Sequence, residues 1–130
     1  MNSDETLLPL ASSLAASKGW DDFTRTLMLA GKSLTPLPLD ERTSDTAVEG
    51  CESPVWMAYL KEQGGIMAYS PSKVIRGVLA VLLEKANTLS EAQRENFDFE
   101  SYLSRCQLER YLSQSRGNGI KSVIAKLKGV

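Results

Sequence analysis

The segment Gly50-Cys51-Glu52-Ser53-Pro54-Val55-Trp56 carries the group best suited to do chemistry. It sets a cysteine directly after a glycine, at the end of a polar stretch and just before an apolar one. Glycine lets the backbone turn tightly or lets another chain approach closely, so a thiol held there is placed for attack from outside the fold. The chain has no histidine, which excludes Cys–His nucleophilic catalysis of the protease type. Thiol exchange, metal binding and sulfur carriage need no neighbouring imidazole and remain open. So does a cysteine that only fills space, since free Cys is among the most buried residue types. A second cysteine, Cys106, lies between Arg105 and Gln107. Two cysteines without a CxxC spacing form no disulfide framework, and a zinc site would need carboxylates to complete it. No metal and no cofactor are therefore expected on this chain.

Elements must position that thiol, and the length allows for them. At 130 residues the chain is expected to form a single domain, 1–130, with one core. Hydrophobic residues make up 42% and charged residues 24%, an ordinary globular profile. Net charge is −1, which gives no reason to expect nucleic acid. The charge is uneven: residues 1–52 hold nine acids and four bases, and residues 53–130 hold seven acids and eleven bases. The N-terminus, Met1-Asn2-Ser3-Asp4-Glu5, is acidic where a secretion signal is basic. The apolar run Val78–Leu83 is far too short to span a membrane. A cytoplasmic protein with reduced thiols and no membrane contact is expected.

The pattern predicts a short helix over Leu7–Lys18 closed by Gly19, then a second with Asp21 as N-cap and Phe23, Leu27 and Ala30 on one face. Leu34–Leu39 reads as a proline-bearing connector. Thr46-Ala47-Val48 gives a weak strand signal and Val55–Leu60 a stronger one. Gly64-Gly65 predicts a tight hairpin returning along Ile66–Tyr69. Ser70-Pro71 predicts the cap and first turn of a core helix reaching Ala86, with Val74, Ile75, Val78, Leu79, Leu82 and Leu83 as its apolar stripe. Gly77 inside that helix costs ~1 kcal/mol against Ala, a cost that close packing explains. Ser90 with Gln93 predicts a capping box, Asp98 caps a further helix carrying Phe99, Tyr102 and Leu103, and a last helix runs from about Asn118 to Leu127. The fold class is α+β, a small antiparallel sheet of about three strands packed against several helices.

Four segments together resemble the SufE/CsdE family, the sulfur acceptors of cysteine desulfurases. They are Trp20-Asp21 with Leu29-Ala30-Gly31-Lys32-Ser33-Leu34, then Val48-Glu49-Gly50-Cys51-Glu52-Ser53-Pro54-Val55-Trp56. Next come Val74-Ile75-Arg76-Gly77-Val78-Leu79-Ala80-Val81-Leu82-Leu83 and Ser115-Arg116-Gly117-Asn118-Gly119-Ile120. They occur in family order over nearly the whole chain. The resemblance implies a fold shared with IscU-type scaffold proteins, Cys51 as the sulfur-accepting residue, and a pyridoxal-phosphate cysteine desulfurase as partner. The pyridoxal phosphate belongs to that partner. It also implies delivery to a downstream sulfur acceptor or iron–sulfur scaffold, and no independent enzymatic activity. Gly50, Glu52 and Ser53 would support the cysteine or meet the partner, and Arg116 would favour its thiolate. The sequence departs from the family at Thr46, where Asn is common, and before the long helix, where Tyr69 and Pro71 replace aspartates.

The chemistry agrees with the residues. An ordinary thiol near pKa 8.5 is only a few per cent ionised at about pH 7. A nearby base raises that fraction, and exchange then needs only access and a leaving thiolate. Val55, Trp56 and Met57 are apolar candidates for sheltering a persulfide, although alternate strand residues also face a core simply to pack. Cys106 lies outside every matching segment and is expected to be incidental. An iron–sulfur scaffold would need three or more ligands, and a redox protein would cycle Cys51 against Cys106.

Overall fold

The computed structural model describes residues 7–49, 53–108 and 114–129, the side chains of 114–118 excepted. Helix α1 spans Pro9–Ala15 and α2 Gly19–Lys32. Strands β1, Trp56–Leu60, and β2, Gly65–Tyr69, follow. Then come α3, Lys73–Ala86, α4, Glu91–Asn96, α5, Phe99–Arg105, and α6, Gln114–Gly129.

Helix α1 is shorter than expected and has no side-chain cap from Leu8. Pro9 opens it with a pre-set φ, and a distant residue accepts from its second residue's N–H. The Glu84 carboxylate of α3 accepts from Leu10 N–H at 3.0 and 3.1 Å, a negative charge at a positive helix end. Asp21 is not the cap of α2. The helix starts at Gly19, whose φ of +84° makes the sharp entry, and Asp22 accepts from Lys18 N–H at 2.8 Å. Phe23, Leu27 and Ala30 are buried as expected, each large apolar side chain worth about 1.5–3 kcal/mol.

α3 is buried on all sides from Gly77 to Leu83, the mark of a central helix. Its cap is Ser72, which accepts from Ile75 N–H at 3.3 Å, and not Ser70. Pro71 disfavours helical backbone in the residue before it, and the buried Ser70 hydroxyl instead accepts from Ser72 N–H at 3.3 Å. α2 packs across α3 at a crossing where both backbones are bare. A Cβ on Gly77 would lie 2.3 Å from Leu27 O, and one on Gly31 would lie 3.0 Å from Gly77 N. The two glycine-bearing sequence segments are therefore two halves of one contact.

The sheet has two strands among the described residues, not about three. β1 and β2 pair antiparallel with Trp56 opposite Tyr69 and Met57 opposite Ala68. The expected third strand, Thr46–Val48, makes a single bridge, Ala47 to Trp56, with Val48 N–H to Val55 O and Met57 N–H to Thr46 O at 2.8 Å each. Its flanking residues are polar turn formers, so the pairing ends after one register step. On the other edge Pro36 bridges Ala68 in parallel, and Asn87 clamps Ile66 through its side-chain amide at 2.9 and 3.2 Å. Both strand edges are thus covered. The hairpin is not a two-residue Gly-Gly turn: Lys61–Gln63 form a 3-10 turn and Gly64 follows at φ +82°. Met57, Ile66 and Ala68 face the core; Trp56, Ala58, Met67 and Tyr69 form the opposite, half-buried face.

The capping box of Ser90 and Gln93 is present at 2.8 and 3.2 Å, and Asp98 caps α5 at 3.0 Å. Tyr102, at the centre of the core, accepts from Leu8 N–H at 3.1 Å. Gln107, at φ +70°, donates through Nε2 to Leu14 O and Ser17 O, tying the end of α5 to the end of α1. α6 packs on α4 and α5, burying Val123, Ile124 and Leu127.

Candidate functional site

Gly50, Cys51 and Glu52 lie outside the described residues. The described residues on either side of them meet at a defined base. Val48 and Val55 are buried and joined by the 2.8 Å hydrogen bond from Val48 N–H to Val55 O. The described residues next to the cysteine on either side, Glu49 and Ser53, therefore adjoin the end of a short antiparallel ladder. Glu49 and Pro54 are exposed and Ser53 is half-buried. Val55 and Met57 face the core, while Trp56, between them, lies on the other face. Its ring stacks on Tyr69 at 6.5 Å between centroids and 21° between planes. The three apolar residues expected as a shelter therefore divide between two faces. Trp56 is half-buried rather than part of the main core.

Sequence reasoning missed what surrounds Tyr69. The Arg42 guanidinium lies 3.7 Å from the Tyr69 ring centroid, and that of Arg76 lies 5.7 Å away. Arg42 Nε–H also donates to Leu37 O at 2.8 Å. Cationic groups over an aromatic face contribute about 0.5–2 kcal/mol each. Two arginines and two aromatic rings thus support the base of the cysteine-bearing segment. The one available signal was Tyr69 standing opposite Trp56 in the hairpin. The arginines come from a connector and a helix, and no spacing links them.

Arg116 belongs to α6, and its side chain lies outside the described residues. α6 reaches the chain leading toward Cys51 through its other end, where Lys126 Nζ donates to Asp45 O at 3.3 Å. Cys106 is described in full. It is completely buried, and its thiol donates to Leu103 O at 3.3 Å. Burial pushes its pKa up to about 11, so at neutral pH it is a protonated, enclosed thiol with no nucleophilic character. Among the described residues no cluster of three or more potential metal ligands occurs, and no helix is long and apolar enough to cross a membrane.

The comparisons agree with this framework. A family model described as SufE, Fe-S metabolism associated domain, matches residues 9–130. Sulfur acceptor protein CsdE of Escherichia coli is 30% identical over an alignment of 128 positions that covers 93% of this chain and 87% of that protein. An uncharacterized SufE-like protein of Rhizobium meliloti is 28% identical, over 84% of this chain and 82% of its own length. One of Haemophilus influenzae is 26% identical, over 90% and 95%. With the family model matching residues 9–130 and a relative 30% identical across most of both chains, the chain belongs to the SufE family.

Proposed function

We propose that this protein is a sulfur acceptor that takes persulfide sulfur on Cys51 from a pyridoxal-phosphate cysteine desulfurase. It stimulates that enzyme and delivers the sulfur to iron–sulfur cluster assembly or another acceptor. The observation that carries the reading is family membership across residues 9–130, joined to one cysteine in the segment pinned at Val48 and Val55. The relative from Escherichia coli is itself named a sulfur acceptor protein.

In the transfer step the Cys51 thiolate attacks the terminal sulfur of the partner's persulfide. A bond forms between Cys51 Sγ and that sulfur, and the bond from it to the partner's cysteine breaks. The partner leaves as a thiolate, and the exchange needs no outside oxidant or reductant. Arg116 would favour the Cys51 thiolate, and Gly50, Glu52 and Ser53 would shape its approach to the partner. Cys51 must be a free thiol to accept sulfur, and thiols stay reduced in the cytosol, so the reading is of a cytoplasmic protein. The burial of Cys106 speaks against a redox cycle between the two cysteines.

The test is mass spectrometry after incubation with desulfurase and cysteine. The wild-type protein gains one sulfur atom at Cys51, and Cys51→Ser gains none and no longer stimulates sulfide release. Loss of two hydrogens would instead indicate a disulfide cycle, and iron-dependent visible colour a cluster scaffold. Stimulation surviving in Cys51→Ser would overturn the assignment.

A further inference from the structure

Five large apolar side chains are exposed among the described residues: Trp20, Met28, Leu29, Leu39 and Tyr59. Three of them, Trp20, Met28 and Leu29, line one trough of about 640 Å³ on the outer side of α2. A surface helix normally turns polar residues outward, so this clustering is not a by-product of folding α2. The inner face of the helix already has its own set in Phe23, Leu27 and Ala30.

The trough is also charged with one sign. Arg25, Lys32, Lys73 and Arg76 line it against a single carboxylate, Asp21. Two polar atoms in its wall, Thr24 Oγ1 and Arg76 Nε, are buried without a hydrogen-bond partner among the described residues, which is uncommon for buried polar groups. Large exposed apolar groups ringed by cations match an interface with a hydrophobic centre and a polar rim, in which Trp, Met and Arg are enriched. The floor is the α2–α3 crossing at Gly31, so both helices contribute to its walls.

Its position matters as much as its character. Arg76, at the inner end, reaches the Tyr69 ring at 5.7 Å. Tyr69 stacks on Trp56, and Trp56 bridges Ala47, next to the Val48–Val55 base. The trough is therefore linked to the root of the segment that carries Cys51 through Arg76, Tyr69 and Trp56.

We infer that this trough is a docking site for an acidic segment bearing large apolar side chains, presented by the protein that donates sulfur to Cys51. The inference rests on the sulfur-acceptor reading and adds to it the surface and the chemistry of recognition. The apolar side chains of the segment seat on Trp20, Met28 and Leu29. Its carboxylates meet Arg25, Lys32 and Lys73, which speeds encounter and fixes orientation.

The experiment measures binding to the purified desulfurase by calorimetry, and in parallel the carrier concentration that half-saturates stimulated sulfide release. The variants are Trp20→Ala and the double charge reversal Arg25→Glu/Lys32→Glu. All three residues are exposed, and circular dichroism checks that both variants fold. The charge reversal should weaken binding and raise the half-saturating concentration about tenfold at low salt, a change of ~1.4 kcal/mol. That gap should close in about 0.5 M salt as screening removes it. Trp20→Ala should weaken binding several-fold at every salt concentration. The single-turnover rate at saturating carrier should match wild type for both. Unchanged binding in both variants overturns the inference, as does a defect confined to delivery from Cys51 to a downstream acceptor. Calorimetry reads docking without any transfer, and the mass of Cys51 reads transfer without reference to the trough. Failure of the acceptor reading and failure of the docking inference therefore give different results.

Discussion

Replacing Gly77 with alanine adds one methyl group at the crossing of α2 and α3. In a free helix the change is favourable by ~1 kcal/mol, because glycine costs more backbone entropy. Here the new carbon would stand 2.3 Å from Leu27 O and 2.7 Å from Leu27 Cγ. The nearest obstacle is backbone, so a side-chain rotation cannot relieve it, and the helices must part by roughly 1 Å. A gap of that size forfeits about a quarter to a half of each dispersion contact along the crossing, and overpacking of this kind costs about 1–3 kcal/mol or more. Clash and lost contact together outweigh the propensity gain, leaving a net destabilisation of about 2 kcal/mol. At ~2.1 cal/mol/K of unfolding entropy per residue, that lowers the melting temperature by about 7 °C. Gly31→Ala meets Gly77 N at 3.0 Å and should cost less. Gly129→Ala meets nothing within 4 Å and should lie within about 0.5 kcal/mol of wild type. Thermal melts followed by circular dichroism should rank the three in that order. A Gly77→Ala protein as stable as wild type would show that α2 yields freely and that the crossing does not explain the glycine.

Four further expectations follow from three residues. Cys106→Ala should keep full sulfur acceptance, since that thiol is enclosed and hydrogen-bonded to Leu103 O; activity lost as completely as in Cys51→Ser, with the fold intact, would revive the two-cysteine cycle. The same thiol has a pKa raised on folding to about 11, so the folded state holds its proton longer than the unfolded one. Its effect on stability is absent below the ordinary thiol range and becomes a loss as pH rises toward 11; melts at stepped alkaline pH should show wild type losing stability faster than Cys106→Ala, and parallel curves would contradict it. Arg116→Ala should slow single-turnover transfer to Cys51 several-fold without lowering the melting temperature, and Arg116→Lys should restore only part, because an ammonium lacks the guanidinium fork; equal rates across pH and salt would remove Arg116 from the transfer step. Asn87→Ala deletes both hydrogen bonds that hold Ile66 and should cost about 1–2 kcal/mol in urea denaturation, whereas a neutral result would mean that water replaces the clamp.

Features governed by neighbours in the chain were legible from the residues alone. The stripe of α3, the inner face of α2, the capping box at Ser90 and the cap at Asp98 each depend on side chains within one or two helical turns, where spacing and hydrogen-bond reach are set by helix geometry. The cysteine segment stood out because residue types restrict its chemistry wherever it lies in space. Other features depended on groups far apart in sequence. Glu84 does for α1 what Leu8 cannot. Thr46–Val48 looked like a strand, yet its pairing with β1 stops after one bridge, since strand formation depends on partners more than on propensity. Whether Cys106 was reactive or inert depended on the helices that enclose it. The reason for Gly31 and Gly77, and the gathering of Trp20, Met28 and Leu29 with four cations in one trough, arose only when α2 was laid across α3. Packing brings backbones to within ångströms of each other between residues that no local rule connects, and that is why the tertiary structure alone decided them.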